Sequence, residues 1–279
     1  MHAIAAKTFH YFSGKRQRDF LVIYIALILI SIHWSLVTYI NSSFLGQYFS
    51  TTIVSVLFAL SAVVSLVTFF YMPNILKKIG NFRSIVACAL FEMIALLGMA
   101  FIDSAWFGAF FFIAHDVLIS LILFNIDIFI EEIIGIEEIQ TGSRRGLYLA
   151  LVSIASAIAP PIAGSLLEIG HGTYGYVYLA SALCVIPFIA IIIMNFRKFH
   201  DPVYIDLSIQ KMVHVFKTQS DIRNILLVSF HLQLFFSWTI IYIPLYLLIV
   251  AGFTWVEIGI IIFVGLTGYI LFEYPIGII

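Results

Sequence analysis

Eight long apolar stretches constrain the fold of this chain more than any other feature. They lie near residues 20–40, 52–72, 84–102, 105–129, 145–168, 174–195, 224–249 and 255–279. Each is long enough to cross about 30 Å of hydrocarbon as an α-helix, which satisfies its own backbone polar groups in lipid. The sequence therefore predicts an all-α integral membrane protein with eight spans.

The composition excludes a soluble fold. Apolar residues make up 62% of the 279 positions and charged residues 10%, against about 45–50% and about 25% in typical soluble domains. A soluble chain of this length has too little interior to bury that much apolar surface. The net charge of −1 gives no electrostatic basis for binding nucleic acid. Cys88 and Cys184 lie inside apolar stretches and lack the spacing of a disulfide framework or a metal site.

The basic residues predict the topology. All 14 Lys and Arg fall in four segments: the N-terminus (Lys7, Lys15, Arg16, Arg18), the 2–3 loop (Lys77, Lys78, Arg83), the 4–5 loop (Arg144, Arg145) and the 6–7 loop (Arg197, Lys198, Lys211, Lys217, Arg223). With eight spans these segments share one side, and the opposite loops near 41–51, 169–173 and 250–254 hold none. The positive-inside rule makes the basic side cytoplasmic. We predict a multi-pass protein of the cell (plasma or inner) membrane, with its N-terminus and 6–7 loop in the cytoplasm.

A weak internal repeat predicts the domain organisation. Trp34-Ser35 in the first stretch matches Trp238-Thr239 in the seventh, and 70–73 in the second matches 272–275 in the eighth at nearly the same offset. Two parallel six-helix halves are a known transporter plan. The expected division is a six-helix bundle at 1–196, a cytoplasmic linker at 197–223, and the first two helices of a second bundle at 224–279. On this interpretation the sequence is truncated, and four further spans should follow Ile279.

The 2–3 loop carries the first of two family motifs. Residues 73–83 read PNILKKIGNFR, beside a family pattern of G-x-L-a-D-r-x-G-r-[RK]. Lys78 and Gly80 fit this pattern and Arg83 trails it, whereas Pro73 and Lys77 stand where the family has glycine and aspartate. With the six-plus-six plan, the chain from about residue 15 to its end resembles the major facilitator superfamily. The resemblance implies a gating role for this loop, although the role of the missing aspartate does not carry over.

The fifth stretch carries the second motif. The antiporter signature of the family is G-x8-G-x3-G-P-x2-G-G, and here its spacing is kept by Gly146, Ala155, Ala159-Pro160 and Ala163-Gly164. Three of its glycines are alanines. Small residues let helices pack closely and proline bends one of them. The resemblance implies alternating access, with this motif favouring export or antiport, although small-residue patterns also occur in many other membrane helices.

Charged residues inside spans indicate a specific role, because inserting each one at the centre of a span costs about 2.5–3.5 kcal/mol of free energy. Asp116 and Asp127 share one face of the fourth stretch, and His33 lies beside Trp34 in the first. In the resembled family helices 1, 4, 7 and 10 line the central cavity. The resemblance thus implies that His33 and Asp116 form a proton-accepting pair, the alternative being a structural hydrogen bond between helices. Glu92 in the third stretch is interpreted mainly as a protonated interhelical donor.

An aromatic stripe runs along the seventh stretch. His231, Phe235, Trp238 and Tyr242 recur at helical spacing, which suits an amphipathic or aromatic substrate. Ordinary helix packing is the alternative explanation for the same stripe.

These features favour a secondary transporter of a small solute that works by alternating access and is coupled to protons. Its predicted partners are the solute, protons and the lipid bilayer, with no obligate protein partner, no resident metal and no cofactor.

One rival is an intramembrane metal-dependent enzyme using His33, His115, Asp116 and Asp127. It lacks the H-E-x-x-H and G-x-S-x-G motifs, so we predict no enzyme. A receptor or scaffold, the other rival, would carry sizeable extramembrane domains, and none is visible.

Overall fold

Helices make up almost all of the chain that the structure describes. The computed structural model describes the backbone of residues 2–101, 103–134, 141–205 and 208–278, and the side chains of 18–101, 103–133, 146–205, 208–268 and 270–272. The helices are α1 (His2–Thr38), α2 (Asn41–Gly46), α3 (Thr51–Ile79), α4 (Asn81–Phe101), α5 (Ala105–Ile134), α6 (Thr141–Ile169), α7 (Gly175–Phe196), α8 (Ile209–Thr218), α9 (Ser220–Leu245) and α10 (Trp255–Ile278), with a π-helical turn at Tyr246–Val250. No strand occurs within these ranges.

Eight segments are long and apolar enough to cross a membrane, as the sequence predicts. These spans 1 to 8 are Arg18–Gly46, Thr51–Ile79, Asn81–Phe101, Ala105–Ile133, Gly146–Ile169, Gly175–Phe196, Ser220–Val250 and Trp255–Phe272. Several run past the predicted apolar stretches, because a helix continues into polar residues once its apolar part has crossed the hydrocarbon. The prediction of an all-α protein with eight potential spans is confirmed.

Span 1 lies at the centre of the bundle. Its helix α1 packs against α5, α6 and α7, and α4 packs against α5 and α7. The main hydrophobic core gathers around it, with fully buried residues such as Ile23, Ile30, Phe112 and Phe188. Over the apolar window of each span, 56% of span 1 is buried but only 6% of span 7. Spans 1 to 6 thus build the core, while span 7 lies on its outside.

The fifth and eighth spans form the most extensive helix contact between described elements. Gly164 of α6 lies against the backbone carbonyl of Trp255, and Gly259 of α10 lies against the carbonyl of Pro160. A Cβ atom on Gly259 would come within 2.6 Å of that oxygen. The two backbones touch here because neither glycine has a side chain.

Contacts on one end of the bundle join loops that the predicted topology places outside the cell. The Tyr48 hydroxyl in the 1–2 loop donates a 2.6 Å hydrogen bond to Asp103 Oδ1 in the 3–4 loop. Glu168, where α6 ends, accepts a 3.2 Å hydrogen bond from the backbone N–H of Val256, where α10 begins.

The 6–7 linker and the 2–3 loop meet at the opposite end. Asp201 Oδ1 accepts a 2.7 Å hydrogen bond from the backbone N–H of Asn81 and a 2.6 Å hydrogen bond from the Tyr204 hydroxyl. Two of the basic segments therefore share an end of the bundle. Which end faces the cytoplasm stays a prediction.

Candidate functional site

Three ionisable side chains from three spans meet in the core. His33 of span 1, Glu92 of span 3 and His115 of span 4 are 0%, 0% and 1% exposed. Glu92 Oε1 lies 2.6 Å from His115 Nδ1 and 3.1 Å from His33 Nε2. We call these three residues the His–Glu–His cluster.

Ser181 of span 6 determines which nitrogen of His33 faces Glu92. Its hydroxyl donates a 2.9 Å hydrogen bond to the backbone carbonyl of His33, which can only accept. The single hydroxyl proton is then used, so Ser181 Oγ must accept its 2.6 Å contact from a proton on His33 Nδ1. A neutral His33 therefore carries its proton on Nδ1, and the nitrogen that faces the carboxylate is Nε2.

We infer that the His–Glu–His cluster holds one proton beyond those of two neutral imidazoles and a carboxylate. His115 Nδ1 lies 2.6 Å from Glu92 Oε1, a hydrogen bond, whereas His33 Nε2 lies 3.1 Å from the same oxygen and makes no hydrogen bond to any described residue. A carboxylate between two neutral imidazoles would leave a buried negative charge, so a further proton on Glu92, His33 or His115 is favoured. The cluster is neutral in each of these forms, and they differ by one proton transfer.

Loss of this proton would leave a net negative charge in the core. The penalty for a buried unpaired charge is several kcal/mol. The second carboxylate oxygen, Glu92 Oε2, is buried and makes no hydrogen bond to any described residue, so the described bundle offers no further donor to the anion. Proton release should therefore favour a conformation in which the cluster reaches water.

The expected pairing of His33 with Asp116 is not the one that forms. Asp116 Oδ2 instead accepts a 2.5 Å hydrogen bond from Ser61 of span 2, and His33 pairs with Glu92. Consecutive helical residues point about 100° apart, so His115 reaches the core side of span 4 and Asp116 a different neighbour. The depth argument did not determine which face of its helix each residue occupies.

The residues predicted along span 7 lie on a largely exposed helix. His231 and Trp238 are exposed, and His231 Nδ1 lies 2.7 Å from the backbone carbonyl of Leu227 on its own helix. Tyr242 is half-buried, and its hydroxyl lies 2.7 Å from Ser55 Oγ on span 2. Only Tyr242 of this stripe thus makes a side-chain hydrogen bond to another span, while Trp34 is half-buried against the main core.

The predicted gating loop is anchored by a linker residue that the motif does not contain. Gly80 has φ of +77°, and its Cα faces the Asp201 carboxylate closely enough that a Cβ would lie 2.5 Å from Oδ2. Burial, followed by the hydrogen bond to Asp201 and the charge of Asp201, raises the pKa of Tyr204. Lys77, Lys78 and Arg83 are exposed around this contact.

At the other end of the bundle, the Tyr48–Asp103 hydrogen bond joins two loops outside the spans. Partial burial of the Tyr48 phenol, with the hydrogen bond to Asp103 and the charge of that carboxylate, raises the pKa of Tyr48 to about 12. Tyr48 therefore remains a neutral hydrogen-bond donor throughout the physiological pH range.

The remaining predicted residues occupy different environments. Gly146, Ala155, Ala159, Pro160 and Gly164 of α6 are buried, whereas Asp127 is exposed near the end of α5. The side chains of Arg144 and Arg145 lie outside the described residues.

Sequence reasoning did not identify the contacts of His115 and Ser181 in this cluster, and it interpreted Glu92 as an interhelical donor without naming its partners. The available signal was that Glu92 is the sole carboxylate in its stretch and that His115 precedes Asp116. Hydropathy cannot tell that these side chains point towards one another.

Comparison with known proteins leaves the family open. No family model matches the chain, and no curated protein matches it. The relation to the major facilitator superfamily therefore stays a prediction from the two motifs and the repeat.

Proposed function

We propose that this protein is a secondary transporter that moves a small solute by alternating access, in the manner of the major facilitator superfamily, and couples it to protons. The observation that carries the proposal is the His–Glu–His cluster, in which a fully buried carboxylate lies 2.6 Å and 3.1 Å from two buried imidazoles. Ionisable groups within spans commonly serve as proton relays in pumps and transporters.

The cluster is well placed to link protonation to helix arrangement. It ties spans 1, 3 and 4 together, and Ser181 adds span 6. A change of about 5.5 kcal/mol moves a two-state equilibrium from 1:99 to 99:1. The penalty of several kcal/mol for an uncompensated buried charge is of that size, so one proton is enough to shift the population of conformations.

The contact between spans 5 and 8 supports a two-bundle mechanism. Gly164 and Gly259 form a smooth backbone surface between the first six spans and span 8. Small residues let helix backbones approach closely without interlocking side chains. In the proposed mechanism this surface is where the two bundles move against each other.

A metal site is the second candidate function, because the two imidazoles and the carboxylate are also metal ligands and their ligand atoms lie within 4.8 Å of one another. Two ligands of a tetrahedral zinc ion, each about 2.0–2.2 Å from the metal, lie roughly 3.3–3.5 Å apart. His115 Nδ1 and Glu92 Oε1 are 2.6 Å apart, which is a hydrogen-bond distance. The arrangement thus favours a proton, and elemental analysis of purified protein would test the metal alternative.

The functional test is solute-driven proton movement. Proteoliposomes containing the full chain and a trapped pH dye would be exposed in turn to mixtures of amino acids, sugars and organic cations. We expect one mixture to change the internal pH and Glu92→Gln to abolish that change, because glutamine cannot exchange the proton. The matched control is Glu132→Gln, at an exposed carboxylate. Solute uptake that proceeds with no pH change, or a full pH response in Glu92→Gln, would contradict the proposal.

A further inference from the structure

The 6–7 linker contains a helix, α8, whose apolar face is largely uncovered by the described bundle. No residue of α8 is buried. Ile209, Met212, Val213 and Phe216 are 39–61% exposed, although side chains of this type normally find cover in a folded protein.

The sequence of α8 separates into two faces. At 100° per residue, Ile209, Met212, Val213 and Phe216 fall within one arc, because they are spaced i, i+3, i+4 and i+7. The rest of the circumference holds Gln210, Lys211, His214, Lys217 and Thr218, together with one apolar residue, Val215. A short helix with an apolar face and a basic polar face is typical of segments that lie in the membrane–water interface.

The backbone sets α8 apart from span 7. Ser208 caps its start by accepting a hydrogen bond from the backbone N–H of Lys211. Gln219, between α8 and α9, has an extended conformation with φ of −107° and ψ of 100°. The helix axis therefore changes direction at Gln219, so α8 does not simply continue the membrane-crossing helix.

Charge indicates what kind of surface covers the apolar face. The ten residues of α8 include two lysines and no acid, and the first turn of α9 holds both Asp221 and Arg223. Arg197 and Lys198 lie where α7 ends, at the other edge of the linker. Each basic residue close to an anionic membrane surface is attracted to its headgroups.

The size of the face argues against a protein partner. A ten-residue helix is about 15 Å long, and four side chains fall well short of the roughly 1,200–2,000 Å² that a stable protein interface buries. The bilayer that the eight spans require is already next to both ends of the linker. We propose that α8 lies in the plane of the membrane surface, with its apolar face at the boundary of headgroups and acyl chains and its lysines on anionic phospholipid headgroups.

Spin labels on the two faces test this placement in the intact chain. Cys88 and Cys184 are replaced by alanine, and a single cysteine is introduced by Val213→Cys on the apolar face or His214→Cys on the polar face. The protein is reconstituted in phosphatidylcholine with or without phosphatidylglycerol. Collisions with oxygen, which concentrates in lipid, are compared with collisions with a water-soluble nickel chelate.

We expect the label at 213 to favour oxygen several-fold and the label at 214 to favour the chelate. Phosphatidylglycerol should move the label at 213 deeper into the membrane. The double substitution Lys211→Gln with Lys217→Gln should remove this effect of phosphatidylglycerol. Equal chelate access at both positions would show a helix in water, and low access to both reagents at 213 would show a protein contact. Either result overturns the proposal, and a depth that does not change with phosphatidylglycerol overturns its anionic-lipid part.

Discussion

Gly80 shows how a single residue joins the 2–3 loop to the 6–7 linker. Its φ of +77° and ψ of 162° suit glycine alone, and the absence of a side chain lets the Asp201 carboxylate approach. That carboxylate accepts the first backbone N–H of α4 and the Tyr204 hydroxyl. Because a free N–H at the start of a helix is usually satisfied by such a cap, Asp201 fastens the linker to the start of span 3.

The substitution Gly80→Ala should weaken the contact between Asp201 and the start of span 3. Its Cβ would collide with Asp201 Oδ2, and the backbone strain adds about 1–3 kcal/mol. We expect a lower melting temperature in detergent and faster proteolysis of the linker. Gly172→Ala is the matched control, since Gly172 also has a positive φ, of 82°, but nothing lies within 4 Å of its added Cβ. Equal effects of the two substitutions would contradict a role for Asp201 in holding the linker.

The contact of α6 with α10 is the feature that matters most at the scale of elements. Gly259→Ala would drive a Cβ into the Pro160 carbonyl and should lower the melting temperature by separating the two helices. Gly265→Ala on the same helix meets nothing within 4 Å and should be neutral or stabilising by up to about 1 kcal/mol, since alanine favours helix over glycine. Equal melting temperatures for the two variants would show that the close packing contributes nothing.

Elements were more predictable from the sequence than their contacts. The spans follow from hydropathy because lipid imposes a simple length and polarity on each segment. The linker was expected to be a connection, yet it contains α8, whose apolar positions are too few for a hydropathy window to detect. His33, Glu92 and His115 come from three spans, and their meeting depends on the rotation of each helix, which no local pattern determines.

At the scale of the whole molecule, the account depends on a proton held where water does not reach. The cluster lies in the core built around span 1, and its neutral state requires that one of its three groups hold that proton. A proton-coupled mechanism requires the same proton to leave when the bundle changes conformation. Its release therefore has to be observable as a titration of the intact protein in lipid.

Infrared difference spectroscopy measures the release of this proton directly. The spectra are recorded on the full chain in lipid while the pH is changed. We predict carboxyl and imidazole bands that change together with pH and disappear in Glu92→Gln, while Glu132→Gln at the exposed carboxylate leaves them in place. A difference spectrum of Glu92→Gln identical to that of the unaltered protein would contradict the claim that the cluster holds an exchangeable proton.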